Sequence, residues 1–205
     1  AGLVKEMGGI SDKKLLTKAE MVKTTSQNGG IVVVGSHTQK TTSQLEALKT
    51  LPGVEALEFD SDLVLDETKF AAEVDRVVDK EEELLKAGKT VVVYTKRKLL
   101  SLSGDTKKAA LERSVKISDA VQSLVGKLTI TPAFVVAKGG ITSSDIGTKA
   151  LRVKRALVLG QIQPGIPVWQ TDPHSKFPGI PYVIFPGNVG EVETLKEAVK
   201  ILVAK

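Results

Sequence analysis

The sequence predicts an α/β fold: a three-layer sandwich whose central sheet is mostly parallel, with a mixed section, and is flanked by helices. Three observations lead there. Short, continuously apolar runs recur along the 205 residues, as at Ile31-Val32-Val33-Val34, and such runs suit strands covered on both faces. Between them lie segments in which apolar residues return with the helical period. The alternation fails between Arg152 and Tyr182, where strand-like segments follow one another without a good helix, so an antiparallel section belongs there.

Each element has its own signal. Residues 1–28 are polar and read as an arm or linker entering the fold. Ile31–Val34 is the first strand, ended by Gly35-Ser36, and residues 41–51 carry Leu45 and Leu48 on one helical side. Val54–Phe59 is strand-like. Phe70, Val74, Val77, Val78, Leu84 and Leu85 define a long amphipathic helix, with Gly88 where a helix C-terminus favours glycine. Thr90–Thr95 is a second buried strand. Residues 107–125 form a helix whose inner face is Ala110, Ile117, Val121, Leu124 and Val125, and Gly126 stops it. Residues 133–137 are a third buried strand, and 143–151 a short helix. Segments 156–159, 167–170 and 182–185 are strands, and 192–203 is the last helix, carrying Leu195, Val199 and Leu202. No internal linker divides residues 29–205, which read as one domain.

Composition excludes several classes. Aromatic residues are 4%, so the core must be built from Val, Leu, Ile and Ala. The absence of cysteine removes disulfide frameworks and thiolate metal sites, and fits a reducing cytoplasm. No apolar run approaches the ~20 residues of a membrane helix, and residues 1–14 lack the basic-then-apolar order of a signal peptide. A cytoplasmic protein with no membrane partner is expected. The net charge of +5 is mild and interrupted by acidic runs such as Glu81-Glu82-Glu83, which suits small anionic ligands as readily as nucleic acid. No zinc-finger spacing or aromatic-rich RNA motif supports a nucleic-acid partner.

Three loops share one design: each follows a buried strand, carries glycine and small polar residues, and precedes a helix. They are Gly35-Ser36-His37-Thr38, Lys138-Gly139-Gly140-Ile141-Thr142-Ser143-Ser144, and Pro186-Gly187-Asn188-Val189-Gly190. Glycine lets a phosphate approach the backbone, helix starts expose unpaired N–H groups, and hydroxyls add donors. In a parallel sheet such loops gather at the carboxyl ends of the strands, where they would cradle a polyphosphate. The same residues are also ordinary turn and N-cap chemistry. The P-loop pattern and the G-x-G-x-x-G fingerprint are both missing, so a nucleotide site here needs another loop architecture.

Other residues admit two readings. His37 contacts phosphate or caps a turn, and His174 is a polar residue of a Pro-rich loop. The two histidines give no tight transition-metal site, and no metal ligands are assigned. Trp169 or Phe177 walls an adenine or packs in the core. Asp145 helps hold Mg²⁺ or simply sits in a helical first turn.

At these loops the sequence resembles a known family. Val32-Val33-Val34-Gly35-Ser36, then Lys40-Thr41-Thr42 and Gln44-Leu45, is similar to the opening of the C-terminal domain of the four-carbon acid sugar kinases. Ala137-Lys138-Gly139-Gly140-Ile141-Thr142-Ser143-Ser144-Asp145 resembles its Gly-Gly-x-Thr-Ser signature. The order continues through Ala156–Ile162, Pro164–Trp169, Lys176-Phe177-Pro178-Gly179 and Phe185-Pro186-Gly187-Asn188-Val189-Gly190, so the likeness runs from about Gly9 to the C-terminus. The resemblance implies an ATP-binding domain of a kinase that phosphorylates the terminal hydroxyl of a tetronate, with Mg²⁺. It implies nucleotide contacts at Ser36, Gly139, Gly140, Ile141, Thr142 and Gly187; the anion-cradle reading adds Lys138 and Asn188.

Family members are about twice as long, and the N-terminal half that binds the acid sugar, with its Asp-Asp-x-Thr-Gly motif, has no counterpart here. Together with the start at Ala1 rather than Met, this reads as an excised domain, inactive alone, whose residues 1–28 lead from the absent sugar domain. A homodimer is among the expected assemblies, and no catalytic base is identified. The rival readings are a non-catalytic nucleotide or phosphate module and an oligomerising domain without a ligand.

Overall fold

Apolar runs and helical periods resolve into a regular chain of elements in the computed structural model, which describes residues 14–23 and 27–204. In order they are α1 (Lys18–Met21), β1 (Ile31–Val34), α2 (Gln39–Lys49), β2 (Val54–Phe59), a 3₁₀ turn (Ser61–Leu65), α3 (Glu67–Lys86), β3 (Thr90–Thr95), α4 (Lys107–Gly126), β4 (Val135–Lys138), α5 (Gly140–Asp145), a π turn (Ile146–Ala150), β5 (Leu157–Gln163), β6 (Ile166–Gln170), β7 (Pro181–Phe185) and α6 (Thr194–Val203).

The strands form one seven-stranded sheet in the order β2-β3-β1-β4-β7-β6-β5. β2, β3, β1, β4 and β7 run parallel, with Val32 level with Val92 on one side and Val136 on the other. β6 is antiparallel to β7, and β5 to β6, which is the mixed section expected where the helical alternation fails. The irregularity there has a local cause. Pro167 cannot donate to a ladder, and the register shifts around its partner Gln161, with Gly160 taking φ 150°.

Side chains alternate across the sheet and build two cores. Ile31, Val33, Val91, Val93, Val135 and Ala137 pack on one face under α3, α4 and the π turn. Val32, Val34, Val92, Val136 and Val183 pack on the other under α2 and α6, with Leu45, Leu48, Leu195 and Val199. The result is the three-layer sandwich. Caps set the helix starts. Thr38 accepts from the Thr41 amide, so α2 begins earlier than its apolar residues alone indicate. Asp66 and Thr106 cap α3 and α4 in the same way.

The helix expected over 143–151 starts earlier, at Gly140, and widens into the π turn. Beneath it the buried Tyr182 hydroxyl donates to the Ser143 carbonyl at 2.5 Å, and Gly147 lies against the same ring, where a Cβ would come within 3.2 Å. Of the arm expected over 1–28, residues 1–13 and 24–26 lie outside the described residues. The described stretch 14–23 joins the fold: the Leu16 amide donates to the Gln161 carbonyl at 2.9 Å, and Met21 is fully buried in the second core.

Candidate functional site

β1 and β4 are neighbours, but the chain leaves them towards opposite faces. From β1 it enters α2, which packs on the second core; from β4 it enters α5, which leads into the π turn of the first. Such a topological switch point leaves a crevice beyond the carboxyl ends of the two strands. β7 lies beside β4, so the loop that follows it opens onto the same edge. The three glycine-bearing loops singled out in the sequence therefore come together.

Their spacing is close. A Cβ on Gly35 would fall 2.2 Å from Thr142 Oγ1. A Cβ on Gly139 would meet Ser36 Cβ and Thr142 Oγ1 at 3.2 Å, and its φ of +123° already excludes most side chains. A Cβ on Gly187 would stand 3.6 Å from Ser36 Oγ and 3.9 Å from Gly139 Cα. Ser36, Gly139, Thr142 and Gly187 thus form one cluster. Gly140 is exposed and a Cβ there would meet nothing within 4 Å, so the space above it is open. Ile141 stands out from the surface, 72% exposed. Asn188 is exposed at the rim.

Main-chain donors are divided between structure and opening. The Gly139 amide is taken by the Phe185 carbonyl at 2.9 Å, which ties the second loop to β7. No side chain caps α5, and the amides of Gly140, Ile141 and Thr142 at its first turn have no carbonyl behind them. Lys138 does not reach the surface. Its fully buried ammonium donates to the carbonyls of Pro186 at 2.7 Å and Gly187 at 3.1 Å and lies 4.3 Å from the centre of the Phe185 ring. Burial, with the charge of Lys40 added, pushes its pKa down to about 8. Lys138 thereby locks two loops together from below.

The first and third loops are joined through α2. Thr41 Oγ1 bonds Ser36 Oγ at 3.1 Å and the Gly187 carbonyl at 3.3 Å. The Gln44 side-chain amide donates to the carbonyls of Val189 at 3.1 Å and Glu191 at 2.8 Å, and Lys40 to that of Gly190 at 3.2 Å. These residues matched the family motif, but their bridging role has no signature in sequence.

Arg97, the middle residue of Lys96-Arg97-Lys98, is a further member that the sequence did not single out. It follows β3, the strand beside β1. Its Nη2 donates to the Ser36 carbonyl, and Nε and Nη2 lie 3.3 and 3.2 Å from Thr42 Oγ1. Nη1 is buried without a partner among the described residues. A basic residue two positions past the end of a buried strand is the signal that could have found it. His37 sits beside it, its Nε2 3.3 Å from Thr95 Oγ1; burial first, then the Arg97 charge, lower its pKa, so the ring is neutral at pH 7.

Other candidates resolve otherwise. Asp145 accepts from Ser118 at 2.8 Å and pairs with Lys149 at 3.3 Å. Among the described residues no group of three His, Asp or Glu could hold a metal. Trp169 packs edge-on against Tyr182, with ring centroids 6.2 Å apart, and Phe177 is buried in the first core, so neither walls an open cleft. His174 stays in the Pro-rich loop, its amide bonded to Asp172 at 2.8 Å. The arrangement as a whole places main-chain amides and hydroxyls at one crevice, with the charges of Lys138 and Arg97 behind them, which suits a polyanion.

Comparison with known proteins agrees in kind. A family model described as a nucleotide-binding C-terminal domain matches residues 31–195. Among solved structures, a domain of unknown function from Bordetella bronchiseptica, determined as a domain-swapped dimer with bound citrate, superposes with a TM-score of 0.64 at 21% identity, over 85% of this chain and 41% of that one. A protein put forward as a tRNA synthase from Salmonella typhimurium LT2 gives 0.62 at 19% identity, over 88% of this chain and 42% of that one. At these identities the structures speak for the fold alone. The chain spans about two fifths of the solved chains it matches. No curated protein sequence matches it.

Proposed function

Because the chain belongs to the family of nucleotide-binding C-terminal domains found in the four-carbon acid sugar kinases, we propose that it binds MgATP and serves transfer of the γ-phosphoryl group to the terminal hydroxyl of a tetronate. The observation that carries this reading is the convergence of Ser36, Gly139, Thr142 and Gly187 at the switch point between β1 and β4.

In this reading the amides of Gly140, Ile141 and Thr142 and the hydroxyls of Ser36 and Thr142 grip the phosphates, while Asn188 closes the rim. Lys138 acts from beneath, as a positive charge behind the Gly139 and Gly187 loops. Phosphoryl transfer depends chiefly on positioning and charge stabilisation, and this array supplies both. Magnesium commonly binds through phosphates, waters and one or two carboxylates. With Asp145 engaged elsewhere, it would arrive as part of MgATP. The acid sugar would come from a separate domain, and with it the group that accepts the hydroxyl proton.

Two measurements test the proposal. Titration with MgATP should give saturable binding and raise the melting temperature, as a ligand that binds only the folded state must. Joined to a sugar-binding domain and given a tetronate, the protein should release ADP, whereas alone it should not. Binding without turnover in the joined protein would favour a non-catalytic nucleotide module. No binding at millimolar MgATP would defeat both readings.

A further inference from the structure

A small cavity adjoins the three loops on the α4 side of the sheet. Its volume is about 170 Å³, and it is lined by His37, Thr95, Leu99, Ile117, Ser118 and Ile141, among others. It shares Gly35, Ile141 and Thr142 with the loop cluster, so cavity and crevice are continuous. Its volume is below the roughly 300 Å³ at which sites for drug-sized ligands begin. It suits one ring system, not a whole nucleotide.

The geometry points to this cavity as the seat of the nucleotide's base, and to an amino-bearing purine as the base it takes. The inference rests on the proposed nucleotide-binding function and places a part of the ligand that the glycine loops do not address. Leu99 and Ile141 line the cavity and are 63% and 72% exposed. Large apolar side chains held in that position flank a planar ring well, because both ring faces then leave water. Ile117 and Val121 of α4 form the inner wall.

The two hydroxyls that α4 brings to the cavity, on Ser114 and Ser118, select among bases. Ser114 Oγ donates to the Ala110 carbonyl at 2.9 Å, and Ser118 Oγ donates to Asp145 at 2.8 Å. Both hydroxyl protons are committed, so these two residues of the cavity lining offer it acceptors rather than donors. An acceptor rewards an exocyclic amine and opposes an exocyclic carbonyl, whose lone pairs would meet it. The 6-amino group of adenine satisfies them; the 6-oxo group of hypoxanthine does not. The neutral His37 ring adds no charge that would favour phosphate over base.

The test compares MgATP, MgITP and inorganic tripolyphosphate by calorimetry on the native chain, on Ser114→Trp, which fills the cavity from an exposed position, and on Leu99→Gln, which removes a wall. MgATP affinity should fall about tenfold in Ser114→Trp and measurably in Leu99→Gln, with tripolyphosphate binding unchanged in both. MgITP should bind the native chain about tenfold more weakly than MgATP. If both variants keep native MgATP affinity, or tripolyphosphate binds the native chain as tightly as MgATP, the base lies elsewhere while the phosphate cradle stands. Equal affinity for MgITP and MgATP overturns the preference for an amino base. If the native chain binds none of the three, the cradle falls and the cavity assignment falls with it.

Discussion

Lys138 Nζ donates to the Gly187 carbonyl oxygen at 3.1 Å, so the last residue of β4 holds the first turn of the loop after β7. The ammonium is fully buried, meets two carbonyls, and pairs with no carboxylate among the described residues. A charge in that position is costly to the fold and useful only if something anionic settles above it. Its proton therefore reports on both.

The pH dependence follows from the direction of the shift. Folded Lys138 releases its proton near pH 8, whereas the unfolded chain holds it to about 10.5. Between those values the unfolded state binds more protons, so stability gains from rising pH across that window. Urea unfolding of the native chain and of Lys138→Met from pH 7.5 to 10.5 isolates the effect. The native chain should gain on the variant as pH rises; a constant difference would mean that the ammonium is not held as described.

Gly139 and Gly140 are adjacent in sequence and unlike in consequence. Gly139→Ala forces a side chain onto φ +123° and against Ser36 Cβ, at a cost of about 1–3 kcal/mol. Its melting temperature should fall by several degrees. A Cβ added at Gly140 meets nothing within 4 Å, so Gly140→Val should leave stability within about 0.5 kcal/mol, while the valine projects into the space proposed for phosphate. MgATP affinity should drop more than about tenfold. A Gly140→Val protein that binds MgATP normally would remove the second loop from the site.

Arg97 fixes the first loop by two bonds that diverge from one planar group, to the Ser36 carbonyl and to Thr42 Oγ1. Lysine cannot reproduce that fork. Arg97→Lys and Arg97→Met should therefore both weaken MgATP binding, by about tenfold, with little difference between them. Full rescue by lysine would show that charge alone matters and that the fork has no positioning role.

The architecture was largely legible because the signals for it are local. Val-rich runs such as Ile31–Val34 and Thr90–Thr95 name strands buried on both faces, and the absence of a helix between 152 and 182 names the antiparallel section. The three glycine loops could be named as well, since each combines a strand end with a helix start. What joins them could not. Thr41 reaching Gly187, and Arg97 reaching Ser36, are contacts between residues far apart in sequence, and nothing in either residue's neighbourhood encodes the partner. The fate of Lys138 was hidden for the same reason: beside two glycines it reads as a ligand contact, and only the arrival of the β7 loop overhead buries it. The π turn depends on Tyr182 beneath it, again a tertiary cause.

Glu81 is the clearest case in which local sequence and tertiary environment disagree. It stands in an acidic run that reads as a solvated face, yet it is fully buried on α3, and neither carboxyl oxygen has a partner among the described residues. Burial, helped by the neighbouring Glu82, pushes its pKa well above the ordinary value. Since the folded group keeps its proton to higher pH than the unfolded one, its contribution is fully present below about pH 4.5 and is lost as pH climbs towards the folded value. Replacing it with an apolar residue of similar length removes that loss together with an unsatisfied polar group worth about 1–3 kcal/mol. Glu81→Met should therefore melt several degrees higher than the native chain, with the gap widening from pH 5 to pH 8 in thermal scans. A variant no more stable than the native chain, or a gap that does not change with pH, would show that the carboxyl reaches water after all.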